Sequence, residues 1–450
     1  MVLTLTGCPE NANFGTENHA KKYLKEEYMD VYYYWNEDMN ERANSNLPIE
    51  EYFDALLYAK DRWSWMMDNS GLVSMQTGIV PGSFGMNYAQ SIEHYNDYDI
   101  IIRYVIDGGP ADKAGIERGW VISHIGGVET MTLIREGKIN DELSKNTQDF
   151  TFRLPDGSHK DIRLSTATVN EPSFLDVQVF TPEDFDGLTE NVGYFNYLSF
   201  TASKLNEIRD AMTTLKSKNI KKMILDLRYN GGGDGEASQL LVNYLAPESA
   251  DGEIYAIRSH NKILKKAGWN EELKIEREDD ALDLEELYII TGEGSASASE
   301  VVLNGLKPLM NIEHVGDTTY GKPNGMYILI YPGEKEYYND FNEGKYDRIQ
   351  WCFLPISFYT TNKEGVGDYE DGIIPDHYRP DNLYKPFGAE EDLINACLTH
   401  IVTGTYPPLP KSNPTVKSSF GVDGKIAIEK RDPNWGEYRV VPPTLKQYKQ

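Results

Sequence analysis

The sequence predicts a multidomain protein of mixed α+β and α/β class, in which a parallel, helix-covered sheet follows a smaller β-domain and a short helical region. Three observations support this prediction. At 450 residues, the chain exceeds the usual size of a single domain. Strand-like and helix-like apolar segments alternate after residue 190, as in parallel sheets. Between residues 100 and 164, short apolar strands are separated by glycine-containing turns instead.

The first folded region is predicted to be a small helical unit over residues 19–71. Its second half contains apolar residues spaced along one helical face: Ile49, Phe53, Leu56 and Leu57. The region ends in an aromatic segment, residues 61–65, with the sequence Asp-Arg-Trp-Ser-Trp. We expect this segment to pack the helices against the rest of the protein and to have no further role.

Residues 72–172 are predicted to form the β-domain. An apolar strand at 100–106 is followed by a short helix within the sequence Gly-Gly-Pro-Ala-Asp-Lys-Ala-Gly-Ile and then by Gly-Trp-Val-Ile, the start of another strand. Two later strands, near 150–154 and 161–164, flank the turn Pro-Asp-Gly-Ser. Glycine suits these turns because it adopts positive φ without a Cβ clash.

Residues 173–402 are predicted to form the parallel sheet. Its strands are expected at 194–199, 223–227 and 287–291, and its helices at 205–215 and 235–245. The helix at 205–215 presents Leu205, Ile208, Met212 and Leu215 on one face. The proline-rich residues 403–450 are predicted to be a C-terminal extension.

Composition excludes several functional classes. The formal net charge of −27 argues against general affinity for nucleic acids or anionic lipids, which would be repelled. The sequence contains no run of 18 apolar residues, so it predicts no membrane-spanning helix. Three cysteines cannot build a disulfide framework. His94, His124, His260 and His377 have no metal-ligand spacing, and we expect neither a metal nor a cofactor.

The most reactive segment is predicted where the strand at 287–291 passes through small residues into a helix that begins near Ser297. A serine at a helix N-terminus lies beside free backbone N–H groups that can stabilise an oxyanion. The alternative is structural, because Ser297 and Glu300 also form the pattern of a capping box. Replacing Glu300 with alanine is expected mainly to weaken the helix cap.

Two further segments contain residues that could take part in catalysis or ligand binding. Lys322 follows Thr-Thr-Tyr-Gly, a small and aromatic stretch able to enclose an amine, and a lysine acts as a general base only when burial or nearby positive charge lowers its pKa. The alternative is a solvated surface lysine. The glycines at 231–233 could form a plain turn or cradle a phosphate, but the Gly-Lys-Ser/Thr ending of a P-loop is absent.

Taken together, these motifs resemble the C-terminal processing, or tail-specific, serine peptidases. The resemblance covers roughly residues 72–380, including Asp-Leu-Arg-Tyr-Asn-Gly-Gly-Gly at 226–233, Ser-Ala-Ser-Glu at 297–300, Tyr-Gly-Lys at 320–322 and Gly-Ile-Ile-Pro-Asp at 372–376. The β-domain resembles a PDZ domain through its Gly-x-Ala-x-x-Ala-Gly-Ile helix and the strand that follows. The resemblance implies a crotonase-like βα spiral for residues 173–402.

The resemblance also implies residue roles. Ser297 matches the nucleophile and Lys322 the general base, at the spacing usual in the family. The oxyanion hole would combine the N–H of Ala298 with that of Gly232 or Gly233, between which the pattern does not decide. The implied function is a serine endopeptidase that acts on proteins or peptides without a cofactor.

PDZ domains bind peptide C-termini by adding a strand to their sheet and by holding the carboxylate on backbone N–H groups. The candidate binding loop contains Ser83, Phe84, Gly85 and Met86. The PDZ-like domain is therefore expected to recognise substrate C-termini. The alternative is a structural β-domain without affinity for peptides.

One departure from the family pattern concerns the base. Family members commonly carry a glutamine four residues after the lysine, where this chain has Met326. A thioether is a poor hydrogen-bond partner, so the orienting role is vacant or falls to another group such as Asn324 or a threonine. Met326 favours one rival function, an inactive peptide-binding protein; another rival is a ligand carrier, because the fold also occurs in retinoid-binding repeats.

The N-terminus suggests a membrane anchor. Leu5-Thr6-Gly7-Cys8 resembles the lipobox of bacterial lipoproteins, in which the cysteine becomes the lipidated first residue, although residues 1–5 are shorter than a signal-peptide apolar region. Residues 1–18 would then be a leader and tether. This interpretation predicts a bacterial cell-envelope protein, periplasmic or bound to the outer membrane by its lipid alone.

Overall fold

The structure is a computed structural model that describes residues 16–34, 39–40, 42–94, 97–409 and 437–440. The predicted lipidation site, Cys8, and most of the predicted C-terminal extension lie outside the described residues. The N-terminal part contains the following elements: α1 (Glu17–Tyr23), α2 (Ile49–Leu56), β1 (Trp65–Asp68) and α3 (Asn69–Thr77). Helix α2 confirms the predicted helix, and the four apolar residues of its predicted face are buried.

The β-domain is built on a six-stranded antiparallel sheet. Its elements, with the two strands of a small flanking sheet, are β2 (Ile79–Ser83), β3 (Met86–His94), β4 (Asp97–Val105), α4 (Pro110–Lys113), β5 (Val121–Ile125), β6 (Val128–Glu129), α5 (Thr130–Arg135), α6 (Ile139–Leu143), β7 (Thr147–Arg153), β8 (His159–Ser165) and β9 (Ala167–Asn170). The order in the large sheet is β3-β4-β5-β7-β8, with β6 beside β5, and β2 pairs with β9. The predicted helix and strands of this region are therefore present.

The remainder of the chain forms two more sheets with their covering helices. The elements are β10 (Phe174–Phe180), β11 (Val192–Tyr197), α7 (Leu205–Lys216), β12 (Lys222–Asp226), α8 (Gly235–Leu245), β13 (Ile254–His260), α9 (Lys262–Lys266), β14 (Glu271–Lys274), β15 (Glu286–Thr291), α10 (Ala298–Leu306), β16 (Ile312–Gly316), β17 (Asn324–Tyr331), α11 (Lys335–Asn342), β18 (Trp351–Leu354), β19 (Ile356–Thr361), β20 (His377–Tyr378), α12 (Asp392–Thr403) and β21 (Glu437–Val440).

The six-stranded sheet, in the order β10-β11-β12-β15-β16-β20, is the predicted parallel sheet. All its neighbouring strands are parallel except β10, which runs antiparallel to β11. The predicted helices match α7 and α8, and the predicted apolar face of α7 packs on this sheet. Because the strands are parallel, the segments that follow β12, β15 and β16 leave the sheet at the same edge.

The seven-stranded sheet was not predicted. Its order is β1-β18-β17-β19-β13-β14, all antiparallel, and β21 lies parallel to β17. Every residue of β17 is buried, so the strand shows no alternation from which its pairing could be predicted. Strand β1 pairs with β18, so the predicted N-terminal helical region, residues 19–71, also contributes one strand to this sheet.

A buried ion network joins the β-domain to the parallel sheet. Arg118, between α4 and β5, and Arg228, just after β12, both donate to Asp381 Oδ1, at 3.1 and 2.8 Å. Arg228 also pairs with Glu391 at 2.9 Å and with Asp226 at 2.8 Å. Arg228 is 1% exposed, so removing one partner would leave a buried charge without compensation. The network fixes the β-domain against the strand ends that carry the candidate site.

Candidate active site

The candidate nucleophile lies in a strained turn between β15 and α10. Ser297 immediately precedes the first residue of α10 and is fully buried. Its φ of +52° and ψ of −110° lie outside the regions that non-glycine residues favour, and among the described non-glycine residues only Asn219 shares a positive φ. Such a conformation persists only where the surrounding structure holds it, and it is concentrated at functional sites.

The two neighbouring serines have structural roles. Ser295 Oγ donates to the Leu227 carbonyl at 2.7 Å, and Ser299 Oγ donates to the Asn230 carbonyl at 2.9 Å. These bonds hold the turn and the start of α10 against the segment that follows β12. The structure thus distinguishes Ser297 from the two serines that flank it.

The glycine turn at 231–233 contacts Ser297 directly. A Cβ on Gly232 would lie 3.1 Å from Ser297 Cβ, 3.1 Å from the Ala298 nitrogen and 2.9 Å from the Ala296 oxygen. A Cβ on Gly233 would lie 2.3 Å from the Phe200 oxygen. Both glycines also have positive φ, +102° and +138°. Only glycine allows these two backbones to approach so closely.

The backbone N–H groups proposed as oxyanion donors differ in whether they already donate a hydrogen bond within the protein. The Gly232 N–H donates to Asn230 Oδ1 at 2.9 Å and is therefore already engaged. Within the described part of the chain, the N–H groups of Ala298 and Gly233 donate to no protein acceptor. Of the two glycines that the sequence left open, the hydrogen bonding favours Gly233.

The candidate base, Lys322, lies in the turn between β16 and β17. It is 1% exposed, so the alternative of a solvated surface lysine is wrong. The turn is tied to the nucleophile segment, because the Tyr320 N–H donates to the Ser295 carbonyl at 2.9 Å. Lys322 Nζ lies 3.7 Å from Met326 Sδ, the atom at the position of the family's glutamine.

Asn324 does not take the place of that glutamine. Its side chain is 2% exposed, and neither its Oδ1 nor its Nδ2 has a hydrogen-bond partner among the described residues. Of the alternatives left open for the orienting role, a hydrogen bond from Asn324 is therefore excluded. The thioether of Met326 contributes packing and only a weak acceptor at this position.

One carboxylate connects the two candidate catalytic segments. Glu300 Oε2 accepts the backbone N–H of Ser297 at 2.7 Å and the backbone N–H of Lys322 at 2.8 Å. Its Oε1 accepts the Gly321 N–H at 2.8 Å and the Thr319 hydroxyl at 2.6 Å. The backbone nitrogens of Ser297 and Lys322 are thus both within hydrogen-bonding distance of one oxygen atom.

Glu300 is fully buried, and burial raises the pKa of its carboxyl group, whereas its four hydrogen bonds oppose that rise. The bond to the Ser297 N–H is the one that a capping box predicts. The other three bonds reach the Lys322 turn, beyond any capping role. The predicted capping box of Ser297 and Glu300 is present, and the Glu300 side chain also holds the turn that carries the base.

The segment at 61–65 also reaches this turn. Trp63 Nε1 donates to the Gly321 carbonyl at 3.2 Å, and Arg62 Nη2 donates to the same oxygen at 3.1 Å. From the sequence, only a packing role was predicted for this segment. Its contact with Gly321 could not be predicted, because the two residues are 258 positions apart and belong to no common local pattern.

The candidate peptide-binding loop joins β2 to β3 beside a cavity of about 230 Å³. Ser83, Phe84 and Met86 line this cavity, and Gly85 has a φ of +72°. The Gly85 N–H donates to Ser83 Oγ at 3.0 Å, so this N–H is engaged. Strand β3 is the end strand of its described sheet, and its outer edge pairs with no strand among the described residues.

The described residues contain no group of three potential metal ligands and no helix long and apolar enough to cross a membrane. The histidines considered above have local partners: His124 contacts Ser123 Oγ at 3.1 Å, His260 contacts Tyr327 Oη at 2.7 Å and His377 lies 3.4 Å from Glu313. The side chain of His94 is outside the described residues.

Comparison with known proteins points to one peptidase family. The model for peptidase family S41 matches residues 191–336, which contain the glycine turn, Ser297 and Lys322, and the model for the peptidase S41 N-terminal domain matches residues 26–65. Over these residues, the chain is similar to peptidase family S41. The matched N-terminal residues include the segment that contacts the Lys322 turn.

Family S41 relatives match over most of this chain. The chain is 24% identical over 377 residues to the chloroplastic carboxyl-terminal-processing peptidase 2 of Arabidopsis thaliana, covering 82% of this chain and 66% of the relative. It is 24% identical over 358 residues to a Staphylococcus aureus protein described as a CtpA-like serine protease, covering 77% and 63%. The chain thus spans just under two thirds of the length of these relatives.

A solved structure shares the fold. The crystal structure of a Bacteroides fragilis protein described as an S41 protease superimposes with a TM-score of 0.65 at 22% identity, covering 84% of this chain and 96% of that one. The two proteins therefore share a mixed α/β fold.

Proposed function

We propose that this chain is a serine endopeptidase in which Ser297 is the nucleophile and Lys322 the general base. The observation that carries the proposal is the shared carboxylate of Glu300, which binds the backbone N–H groups of both residues. The strained φ of Ser297 and its position at the start of α10 support a catalytic role. Similarity to family S41 supports the same reaction class.

The proposed reaction needs no cofactor. Neutral Lys322 accepts the hydroxyl proton as Ser297 Oγ attacks the scissile carbonyl carbon, and the oxyanion binds the N–H groups of Ala298 and Gly233. The resulting lysine ammonium protonates the leaving amine as the C–N bond breaks, which leaves an acyl-serine. Lys322 then takes a proton from water as the water oxygen attacks the ester, and it returns this proton to Ser297 Oγ as the ester C–O bond breaks. The new carboxylic acid loses its proton to solvent, and the serine and neutral lysine are restored.

The test is incubation of the protein with an unfolded polypeptide, followed by mass spectrometry of the products. We expect internal cleavage by the wild type and loss of turnover in Ser297→Ala and in Lys322→Ala. The double variant should be no worse than either single variant, because nucleophile and base act as one unit. Binding without cleavage by the wild type would favour the alternative, an inactive peptide-binding protein, and a folded Lys322→Ala variant with full activity would refute the dyad.

We further propose that the loop at 83–86 binds substrate C-termini. Support comes from the outer edge of β3, which pairs with no described strand, and from the cavity beside it, since strand addition needs both an available edge and a place for side chains. Cleavage should then fall when the substrate's C-terminal carboxylate is amidated. Equal cleavage of free, amidated and truncated substrates would exclude this role.

The localisation is also a proposal. If Cys8 is lipidated, the protein is held at the bacterial cell envelope by its lipid. Labelled fatty acid should then be incorporated by the wild type and not by Cys8→Ser, and full labelling of the variant would refute the anchor.

A further inference from the structure

Two side chains from the N-terminal region hold the carbonyl that precedes Lys322. Trp63 Nε1 and Arg62 Nη2 donate to the Gly321 oxygen at 3.2 and 3.1 Å. The Trp63 side chain is buried, at 8% exposure, so its N–H group has been removed from water and depends on this acceptor. The contact thus joins the start of the chain to the turn that carries the candidate base.

The same peptide unit is also held at its other polar group. The unit that links Gly321 to Lys322 contains the Gly321 carbonyl and the Lys322 N–H, and the N–H donates to Glu300 Oε2 at 2.8 Å. A peptide unit is planar, so binding its oxygen on one side and its hydrogen on the other fixes its orientation. That orientation sets the direction in which the Lys322 side chain leaves the backbone.

Little space is left for the unit to move. Gly321 has a φ of +88°, and a Cβ there would lie 2.1 Å from the Glu370 oxygen. Arg62 Nη2 also donates to that same Glu370 carbonyl. The guanidinium lies over the Trp63 and Tyr320 rings, 5.0 and 5.4 Å from their centroids, in cation–π contacts that keep it in place.

Trp63 is itself fixed by a buried carboxylate. Asp61, which is fully buried, accepts the backbone N–H groups of Trp63 at 2.9 Å and Ser64 at 3.0 Å. Ser64 Oγ in turn accepts the Ile356 N–H of the seven-stranded sheet at 2.8 Å. The indole N–H is therefore presented to Gly321 from a turn anchored in the sheet.

We propose that Trp63 and Arg62 are positioning residues for Lys322, acting through the Gly321 carbonyl. The kinetic consequence rests on the proposed peptidase function. The proposal also explains how the lysine keeps its direction where Met326 replaces a hydrogen-bonding side chain, because the backbone of the turn is held on both sides. Segment 61–63 is thus part of the machinery that sets the rate.

The test compares Trp63→Phe with Trp65→Phe. Both tryptophans are buried, at 8% and 7% exposure, but the Trp65 N–H has no hydrogen-bond partner among the described residues. Trp63→Phe should lower kcat about tenfold, the effect of roughly one hydrogen bond, with KM unchanged. Labelling of Ser297 by a fluorophosphonate should slow by the same factor, whereas Trp65→Phe should leave both rates unchanged.

Amide hydrogen exchange at Lys322 gives a readout that does not require activity. Loss of the Trp63 bond loosens the peptide unit, so exchange of the Lys322 N–H should accelerate about tenfold in Trp63→Phe and remain unchanged in Trp65→Phe. If the wild type neither cleaves nor is labelled while exchange accelerates as expected, the positioning is supported and the peptidase proposal fails. If Trp63→Phe matches Trp65→Phe in kcat and in exchange, the positioning is overturned.

Arg62→Gln covers the case in which Trp63→Phe fails to fold. Arg62 is exposed, so its replacement should leave folding intact. It removes the second donor to the Gly321 oxygen, and we expect kcat to fall about threefold at constant KM, with faster exchange at Lys322. Unchanged kcat and unchanged exchange in this variant would also overturn the proposal.

Discussion

Replacing Glu300 with glutamine tests whether one carboxylate holds both catalytic segments. The substitution keeps the size of the side chain but converts one acceptor oxygen into an NH2 donor. In the better orientation, the remaining oxygen keeps the N–H groups of Ser297 and Lys322, and the NH2 faces the Thr319 hydroxyl and the Gly321 N–H. The hydroxyl can turn and accept a bond, but the Gly321 N–H then faces a donor.

The expected loss of stability follows from the hydrogen bonds that Glu300→Gln loses and keeps. A buried N–H without an acceptor costs about 1–3 kcal/mol, and the surviving bonds weaken because their acceptor is no longer charged. We therefore expect the free energy of unfolding to fall by about 2–4 kcal/mol in Glu300→Gln. Glu300→Ala removes the acceptor of three backbone N–H groups and should cost still more. A role confined to capping would cost about 1 kcal/mol.

Two measurements distinguish these cases. Urea unfolding, followed by tryptophan fluorescence, gives the loss of stability, and Asp68→Ala provides the reference for a purely capping carboxylate, because Asp68 accepts the Gly71 N–H at the start of α3. Hydrolysis per folded molecule gives the catalytic effect, which we expect to be at least about a tenfold loss of kcat in Glu300→Gln. A stability loss equal to that of Asp68→Ala, with kcat intact, would refute the reasoning.

Three further predictions follow from buried contacts. Ser295→Ala and Ser299→Ala should each lose about 1 kcal/mol of stability and retain most of their activity, because their hydroxyls bind backbone carbonyls; loss of all turnover in either would contradict this. Gly232→Ala should abolish hydrolysis, since its Cβ would press on the nucleophile segment, whereas Gly157→Ala, also at positive φ but in open space, should keep it; active Gly232→Ala protein would disprove the close approach. Burial lowers the pKa of His314 to about 3. The unfolded state therefore takes up a proton first as pH falls below about 6.5, and stability falls by about 2 kcal/mol between neutral pH and pH 5. Urea unfolding at several pH values gives the free energy of unfolding as a function of pH. His314→Gln should lack the fall of about 2 kcal/mol between neutral pH and pH 5, and the same pH dependence in both proteins would contradict the assignment.

The position of the candidate nucleophile could be predicted from short local patterns, but its catalytic role was predicted from the family resemblance. Ser297 follows an apolar strand and precedes a helix, and the glycine turn follows another strand, so a parallel sheet brings both to one edge. Lys322 was different: its residue type usually lies at the surface, and only the family motif singled it out. Its burial was decided by the packing of the turn between β16 and β17.

The sequence by itself determined the elements that depend on local spacing: the amphipathic helices α2 and α7, the strands of the parallel sheet and the glycine turn at 231–233. These follow from periodicity and from the φ that glycine permits. The tertiary structure alone decided which distant groups meet. The second role of Glu300, the contact of Trp63 with Gly321 and the pairing of β1 with β18 join residues far apart in the chain, and no local pattern encodes a hydrogen bond whose donor and acceptor become neighbours only when the sheets assemble.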